Sequence, residues 1–189
     1  MARAHPARRP HAALVAVPNT APYLAALMSA NGQRYALAVI VILALLLLTR
    51  RLGSVYFVTT FPVTLAHELT HLLLGFVTHG QPCGFRVWPQ RSATGYVLGS
   101  VSCRNIRWYN GLFIGFAPVL LLPCALGLLI WRLHAATDVN AAEAAWAYAV
   151  ACLAYASLPS WQDIRVALAS SWLLLTILTI AAIAVSHSW

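Results

Sequence analysis

His67-Glu68-Leu69-Thr70-His71 puts two imidazoles and a carboxylate within five residues, in a chain that has only seven histidines and four acidic residues. On an α-helix, positions i and i+4 share a face, so His67 and His71 can hold one metal ion between them. Glu68, beside the first ligand, is then set to take the proton of a zinc-bound water, which makes it the candidate catalytic residue and Zn2+ the candidate cofactor. At this composition the pentad arises by chance in roughly one sequence in four hundred. It also lies in a stretch apolar enough to cross a bilayer, where an ionisable cluster is costly and marks function.

Two histidines leave a catalytic zinc site short of a third protein ligand. The soluble extension of the pentad needs a Gly and a further His where this chain has Leu74 and Val77. His79 lies two turns beyond His71, and His134 is expected near the opposite face of the membrane. Among the carboxylates, Asp138 and Glu143 fall in a polar break after Arg132, whereas Glu68 and Asp163 sit in or beside apolar segments. Asp163 follows an apolar run and the helix-breaking Pro159, and it is the best-placed third ligand. The same residue type at a helix start also serves as an ordinary cap.

The elements that must hold these residues are membrane helices. The 189 residues are 61% hydrophobic and 8% charged, with mean hydropathy +0.75, which points to an integral membrane protein. The expected fold is all-α: one polytopic bundle of about five transmembrane helices. The net charge of +8 comes from arginines at the ends of apolar runs and in one polar loop, an orienting pattern; no nucleic-acid motif accompanies it, so no nucleic-acid partner is expected. The four cysteines show no metal-knuckle spacing. Cys124 and Cys152 read as small core residues. Cys83 and Cys103 flank the polar loop and are expected as free thiols on the cytoplasmic side.

Residues 1–34 form a basic arm with Arg3, Arg8, Arg9 and Arg34 and a short helix around Tyr23–Ser29; Pro18, Asn19 and Pro22 interrupt the only stretch that resembles a signal-peptide core. Apolar runs over 35–49, 55–78, 109–133, 141–158 and 164–185 are the expected spans within a domain covering 35–189. The second carries the pentad, with Pro62 one turn ahead of His67. Between the second and third, Phe85-Arg86-Val87-Trp88 and Tyr96-Val97-Leu98-Gly99-Ser100-Val101 alternate and are punctuated by glycines, which predicts a β-hairpin with Pro89–Thr94 between its strands. Gly111, Gly115 and Pro118 in the third span allow close packing on a neighbour. Counting arginines puts the N-terminus, the hairpin and the cytoplasmic half of the pentad helix on one side, with Arg50, Arg51 and Arg132 on the other. Trp108, Trp131, Trp161 and Trp189 read as interfacial anchors.

The pentad, Gly115-Phe116-Ala117-Pro118 and Pro159-Ser160-Trp161-Gln162-Asp163 together resemble the motifs of the site-2 protease family of intramembrane zinc metalloproteases, over roughly residues 55–170. The chain departs from that pattern in having no Asn after Pro118 and Ile164, not Gly, after Asp163. The resemblance implies a minimal catalytic core in which His67, His71 and Asp163 hold zinc and Glu68 is the general base. It also implies a membrane-spanning protein substrate, which the hairpin helps to guide, and a bacterial cytoplasmic (inner) membrane with the N-terminus and active-site side cytoplasmic. The alternatives from other classes are a non-catalytic membrane protein that binds a partner helix, and a small transporter passing protons or metal by way of Glu68 and Asp163.

Overall fold

The computed structural model describes residues 21–92, 95–135 and 140–187. Arg3, Arg8 and Arg9 of the expected arm, the hairpin tip at 93–94, Asp138 and Trp189 lie outside them. Helix α1 (Ala21–Met28) leads into α2 (Ala30–Leu48) at Ser29, whose Oγ accepts the Gly32 N–H at 3.0 Å. This cap satisfies one of the donors that every helix start leaves open, so α2 begins before the expected position 35 and absorbs the end of the arm.

A 3-10 turn, Thr49–Arg51, and Gly53 at φ 50° turn the chain into α3 (Ser54–Val77), which carries the pentad. Glycine enters that left-handed region without a Cβ clash. Helix α3 runs straight through Pro62. A proline removes one N–H from the ladder and loosens the turn before it. Here Tyr148 Oη donates to the Thr59 carbonyl at 2.7 Å, so a neighbouring helix supplies a donor beside the weakened turn.

The polar stretch is a ribbon of four short strands, β1 (Pro82–Arg86), β2 (Gln90–Ser92), β3 (Gly95–Val97) and β4 (Ser100–Cys103). β1 pairs antiparallel with β4 and β2 with β3, so the hairpin is two nested ladders, and part of its expected tip, Gln90–Ser92, is strand. The ribbon does not project from the end of α3 as a loop would. It lies back along that helix: Gly75 faces Cys103 at its base, and the rings of Phe61 and Phe57 meet Trp88 and Tyr96 further up. Cys83 is opposite Ser102 and Cys103 opposite Pro82, so the two thiols leave opposite faces of the ladder and both are free.

The third expected span is broken. Helix α4 (Gly111–Gly115) ends in a 3-10 stretch, Ala117–Leu120, before α5 (Leu121–Ala135), because Pro118 cannot continue the α-helical ladder. Helix α6 (Ala141–Ala156), capped by the Asn140 side chain on the Glu143 N–H, precedes α7 (Trp161–Ser186). Leu46, Val63, Leu121, Ala151 and Tyr155 form the core where α2, α3, α5 and α6 meet. Cys152 belongs to it; Cys124, expected to do the same, is exposed on α5.

The protein is mostly helical. Among the described residues, two stretches, Ala30–Arg51 and Ala117–Ala135, are long and apolar enough to cross a membrane, and Ala141–Ala156 with Trp161–Ser170, bent by 43°, makes a third when taken as one span. That is fewer than the five expected. Helix α3 is long enough but carries Thr59, Thr60, Thr64, Thr70 and the pentad, which lower its hydropathy. Exposed Leu37, Ile40 and Leu48 on α2 and Ile177, Ile180 and Ile183 on α7 give the outside an apolar character that suits membrane association.

Arg132 and Glu143, expected as flanking polar residues, pair instead. Arg132 donates through Nε and Nη2 to the two Glu143 carboxylate oxygens, with its guanidinium 4.8 Å and 5.6 Å from the Trp131 and Trp146 ring centroids. Breaking such a buried pair leaves one charge uncompensated, whereas replacing both partners does not. Arg132→Met is expected to cost about 3 kcal/mol. Arg132→Met combined with Glu143→Leu should recover most of that loss, an ordering that thermal unfolding in detergent reads directly.

Candidate metal centre

The two pentad histidines and Asp163 meet in space. His67 Nε2 and His71 Nε2 are 3.3 Å apart, and each lies 3.2 Å from an oxygen of the Asp163 carboxylate. One ligand atom from each residue falls within 4.8 Å of the other two, a group that can hold a metal ion. All three side chains are largely buried.

Two helices supply the three members. His67 and His71 come from successive turns of α3. Asp163 stands in the first turn of α7, which opens with a capping box: Ser160 Oγ accepts the Asp163 N–H at 3.2 Å, and the Asp163 Oδ2 accepts the Ser160 N–H at 2.6 Å. Asp163 is thus both the N3 member of the capping box and a member of the group that could hold a metal, and the box aims its carboxylate at the histidines.

The remaining ring nitrogens decide the chemistry of the donor set. His67 Nδ1 donates to the Ala156 carbonyl at 2.9 Å, and His71 Nδ1 donates to the Ile114 carbonyl at 2.8 Å. A carbonyl oxygen only accepts, so each ring carries a proton on Nδ1, and in the neutral rings both Nε2 atoms present lone pairs to the centre. Two lone pairs and a carboxylate facing one another at these distances repel. A cation relieves that repulsion, and one metal ion can take a ligand atom from all three residues at once, so the residues fit a metal.

Ile114 and Ala156 are functional through their backbones, and nothing in their residue type announces it. The signal nearest to hand was Gly111-x-x-x-Gly115, which lets α4 approach α7 closely. A Cβ on Gly115 would stand 2.6 Å from the Asp163 carbonyl oxygen and 2.7 Å from the Ala167 Cβ, and one on Gly111 would collide with Ser170. The two glycines thereby set the distance between the helix holding His71 in orientation and the helix bearing Asp163.

Glu68 is buried one residue along from the first ligand and lines the same cavity of about 830 Å³ as the three metal-group residues. The ribbon supplies the opposite wall through Val97, Leu98, Gly99, Ser100 and Val101. Gly99, at the break between the two ladders, presses on this carboxylate: a Cβ there would come within 2.7 Å of both Glu68 Cγ and Thr64 Cγ2. The Val101 backbone N–H is directed to the Glu68 carboxylate. Cys103 also borders the cavity, and burial, with Cys83 nearby, pushes its thiol above the ordinary value, so it stays protonated and outside the donor group. His79 is exposed at the end of α3 and His134 is on α5, and neither joins the centre.

No family model, curated protein or solved structure matches this chain. The chemistry of the centre is accordingly argued from its own geometry.

Gly115→Ala tests the role of the close approach. It is expected to weaken metal binding at least about tenfold by moving Asp163 away from the histidines. Gly127→Ala, where an added Cβ meets nothing within 4 Å, should leave affinity unchanged. Cobalt or zinc titration of the purified variants makes the comparison; equal affinities would remove the helix contact from the account of the site.

Proposed function

We propose that the protein is an intramembrane zinc metalloprotease that hydrolyses peptide bonds of membrane-spanning substrates, with His67, His71 and Asp163 as metal ligands and Glu68 as general base. The observation that carries this is the meeting of three ligand atoms beside a second, separate carboxylate, Glu68, in one cavity. Two imidazoles and a carboxylate with an open position form a set that zinc takes in hydrolytic sites. The adjacent Glu68 is what hydrolysis needs in addition, and a purely structural metal site would have no use for it.

When bound, zinc supplies Lewis acidity, acidifying a water and polarising the scissile carbonyl. The protein's own residues do the rest. Glu68 accepts a proton from the attacking water and delivers it to the amide nitrogen as the C–N bond breaks, so the products are a carboxylate and an amine. The Ala156 and Ile114 carbonyls keep both imidazoles in the ligating tautomer throughout. The Ser160–Asp163 cap holds the third ligand in place. The Leu98–Gly99 break of the ribbon, lying over Glu68, limits access by bulk water.

In this reading α3 also crosses the bilayer. Its 24 residues reach roughly 36 Å at 1.5 Å per residue, and Thr60, Thr64, His67, Glu68 and His71 line the cavity. The bundle then approaches the five crossings expected, in a bacterial cytoplasmic membrane with the N-terminus inside.

Glu68→Gln is expected to keep stoichiometric zinc while cleavage of a co-expressed single-span substrate falls by about a factor of a hundred or more. Asp163→Ala should lose both. Metal analysis of purified protein beside a cleavage blot separates the two outcomes, and undiminished cleavage by Glu68→Gln would end the catalytic assignment.

A further inference from the structure

The cavity that holds Glu68 and Asp163 has a second polar end, made by Arg50, Tyr56 and Tyr155. Arg50 Nε donates to Tyr155 Oη at 2.8 Å, Nη2 donates to the same oxygen, and the guanidinium carbon stands 5.4 Å from that ring's centroid. Tyr56 Oη lies 3.3 Å from Tyr155 Oη. A guanidinium carries five donors in a planar fork, and one phenol oxygen occupies only part of it. Among the described residues no carboxylate pairs with Arg50, and it is the one Lys or Arg side chain lining the cavity.

We propose that this cluster is a substrate subsite, which binds an aspartate or glutamate side chain of the peptide about five residues from the bond that is cleaved. The proposal rests on the protease reading and names the kind of substrate that site takes. Its spacing comes from α3. Tyr56 precedes His67 by eleven residues, roughly 16 Å of helix at 1.5 Å per residue. An extended peptide at about 3.3 Å per residue covers that distance with five residues.

The chemistry is that of a guanidinium fork and a planar carboxylate, which match in two parallel charge-assisted hydrogen bonds. Tyr155 holds the fork in place beforehand, so less side-chain freedom is lost when the carboxylate arrives. The sign of charge along the cavity adds direction. Glu68 and Asp163 stand at one end and Arg50 at the other, so a peptide with one acidic residue is favoured in the orientation that keeps its carboxylate away from the two already there.

A lipid phosphate also suits an arginine at the end of a membrane helix. Arg50 is turned away from that role by its contact with Tyr155 of α6, inside the cavity shared with the metal group. Arg50 and Arg51 are both exposed, but Arg51 makes no hydrogen bond to another side chain among the described residues, which makes it the more suitable lipid contact.

The test uses zinc-loaded full-length Glu68→Gln protein in uncharged detergent, which binds without cleaving. Its probes are synthetic single-span peptides with a central Gly-Pro break and one Glu placed three to eight residues from it on either side, each paired with the Gln peptide. The expected result is about tenfold tighter binding of Glu over Gln near the fifth position on one side only. That preference should vanish in Arg50→Gln, persist in part in Arg50→Lys, and weaken in Tyr155→Phe, which leaves the charge but removes its anchor.

Equal binding of Glu and Gln peptides to zinc-loaded protein with Arg50 intact, or no measurable binding of any peptide, overturns the proposal, and neither result depends on an Arg50 or Tyr155 variant folding. A change in retention of phosphatidylglycerol by Arg50→Gln, with peptide discrimination unaltered, assigns Arg50 to lipid and also overturns it. Charge-dependent binding of peptides that protein with native Glu68 never cleaves would leave the subsite standing and remove proteolysis.

Discussion

The surroundings of the candidate centre answer to one constraint: three electron-pair donors are held facing one another, with the Nδ1 proton of each imidazole already committed to a backbone carbonyl. The Nδ1 bonds to the Ile114 and Ala156 carbonyls make the two Nε2 atoms acceptors, and the cap at Ser160 turns the Asp163 carboxylate the same way. Such a cluster is unfavourable until a cation arrives, and in a low-dielectric interior it is more so. The surrounding fold must therefore be stiff enough to keep the donors together. Its stiffness comes from helix ends and close helix contacts, since α4, α6 and α7 all terminate or begin within hydrogen-bonding reach of the metal group.

Helix ends are an economical way to do this in a membrane. The last carbonyls of a helix have no intrahelical partner, and in hydrocarbon they find no water either. Ala156 closes α6, and its carbonyl is satisfied by a ring nitrogen that itself needed an acceptor. Ile114 stands next to the end of the five-residue α4 and is used in the same way. The breaks at Phe116–Leu120 and Ser157–Ser160 thus expose backbone acceptors at the two points where the imidazoles require them. A continuous pair of helices would have consumed those carbonyls internally and left both tautomers undetermined.

The sequence made the residues of the candidate site legible because their chemistry is carried by residue type. His67, Glu68 and His71 follow from a spacing of four on a helix, and Asp163 from the scarcity of carboxylates in apolar surroundings. The helical character, the ribbon after the pentad helix, and the glycine-rich contact at 111–115 were readable for the same reason. Less was readable of the number of spans. Hydrophobic periodicity merges α4 and α5 into one run although Pro118 divides them, and it cannot separate a helix facing a polar cavity from one facing lipid. The ribbon's position was hidden too: its arginines read as a cytoplasmic loop, whereas the pairing of Phe57 with Tyr96 and Phe61 with Trp88 draws it along α3. The roles of the Ile114 and Ala156 carbonyls were beyond any residue-type argument, because every residue has a carbonyl.

The position of the ribbon has a consequence for how the centre is reached. With Gly99 pressed against Glu68 and Thr64, the ribbon and α3 move as neighbours, and any side chain at position 99 larger than hydrogen must displace either the carboxylate or the strand. The two ladders meet at that glycine, so the least strongly paired part of the ribbon is also the part that covers Glu68. A chain segment entering the cavity would meet unpaired backbone at Leu98–Gly99 before it met the carboxylate. Gly99 therefore has two roles in one contact, since the residue that sets the position of Glu68 from outside also stands where the two ladders of the ribbon part.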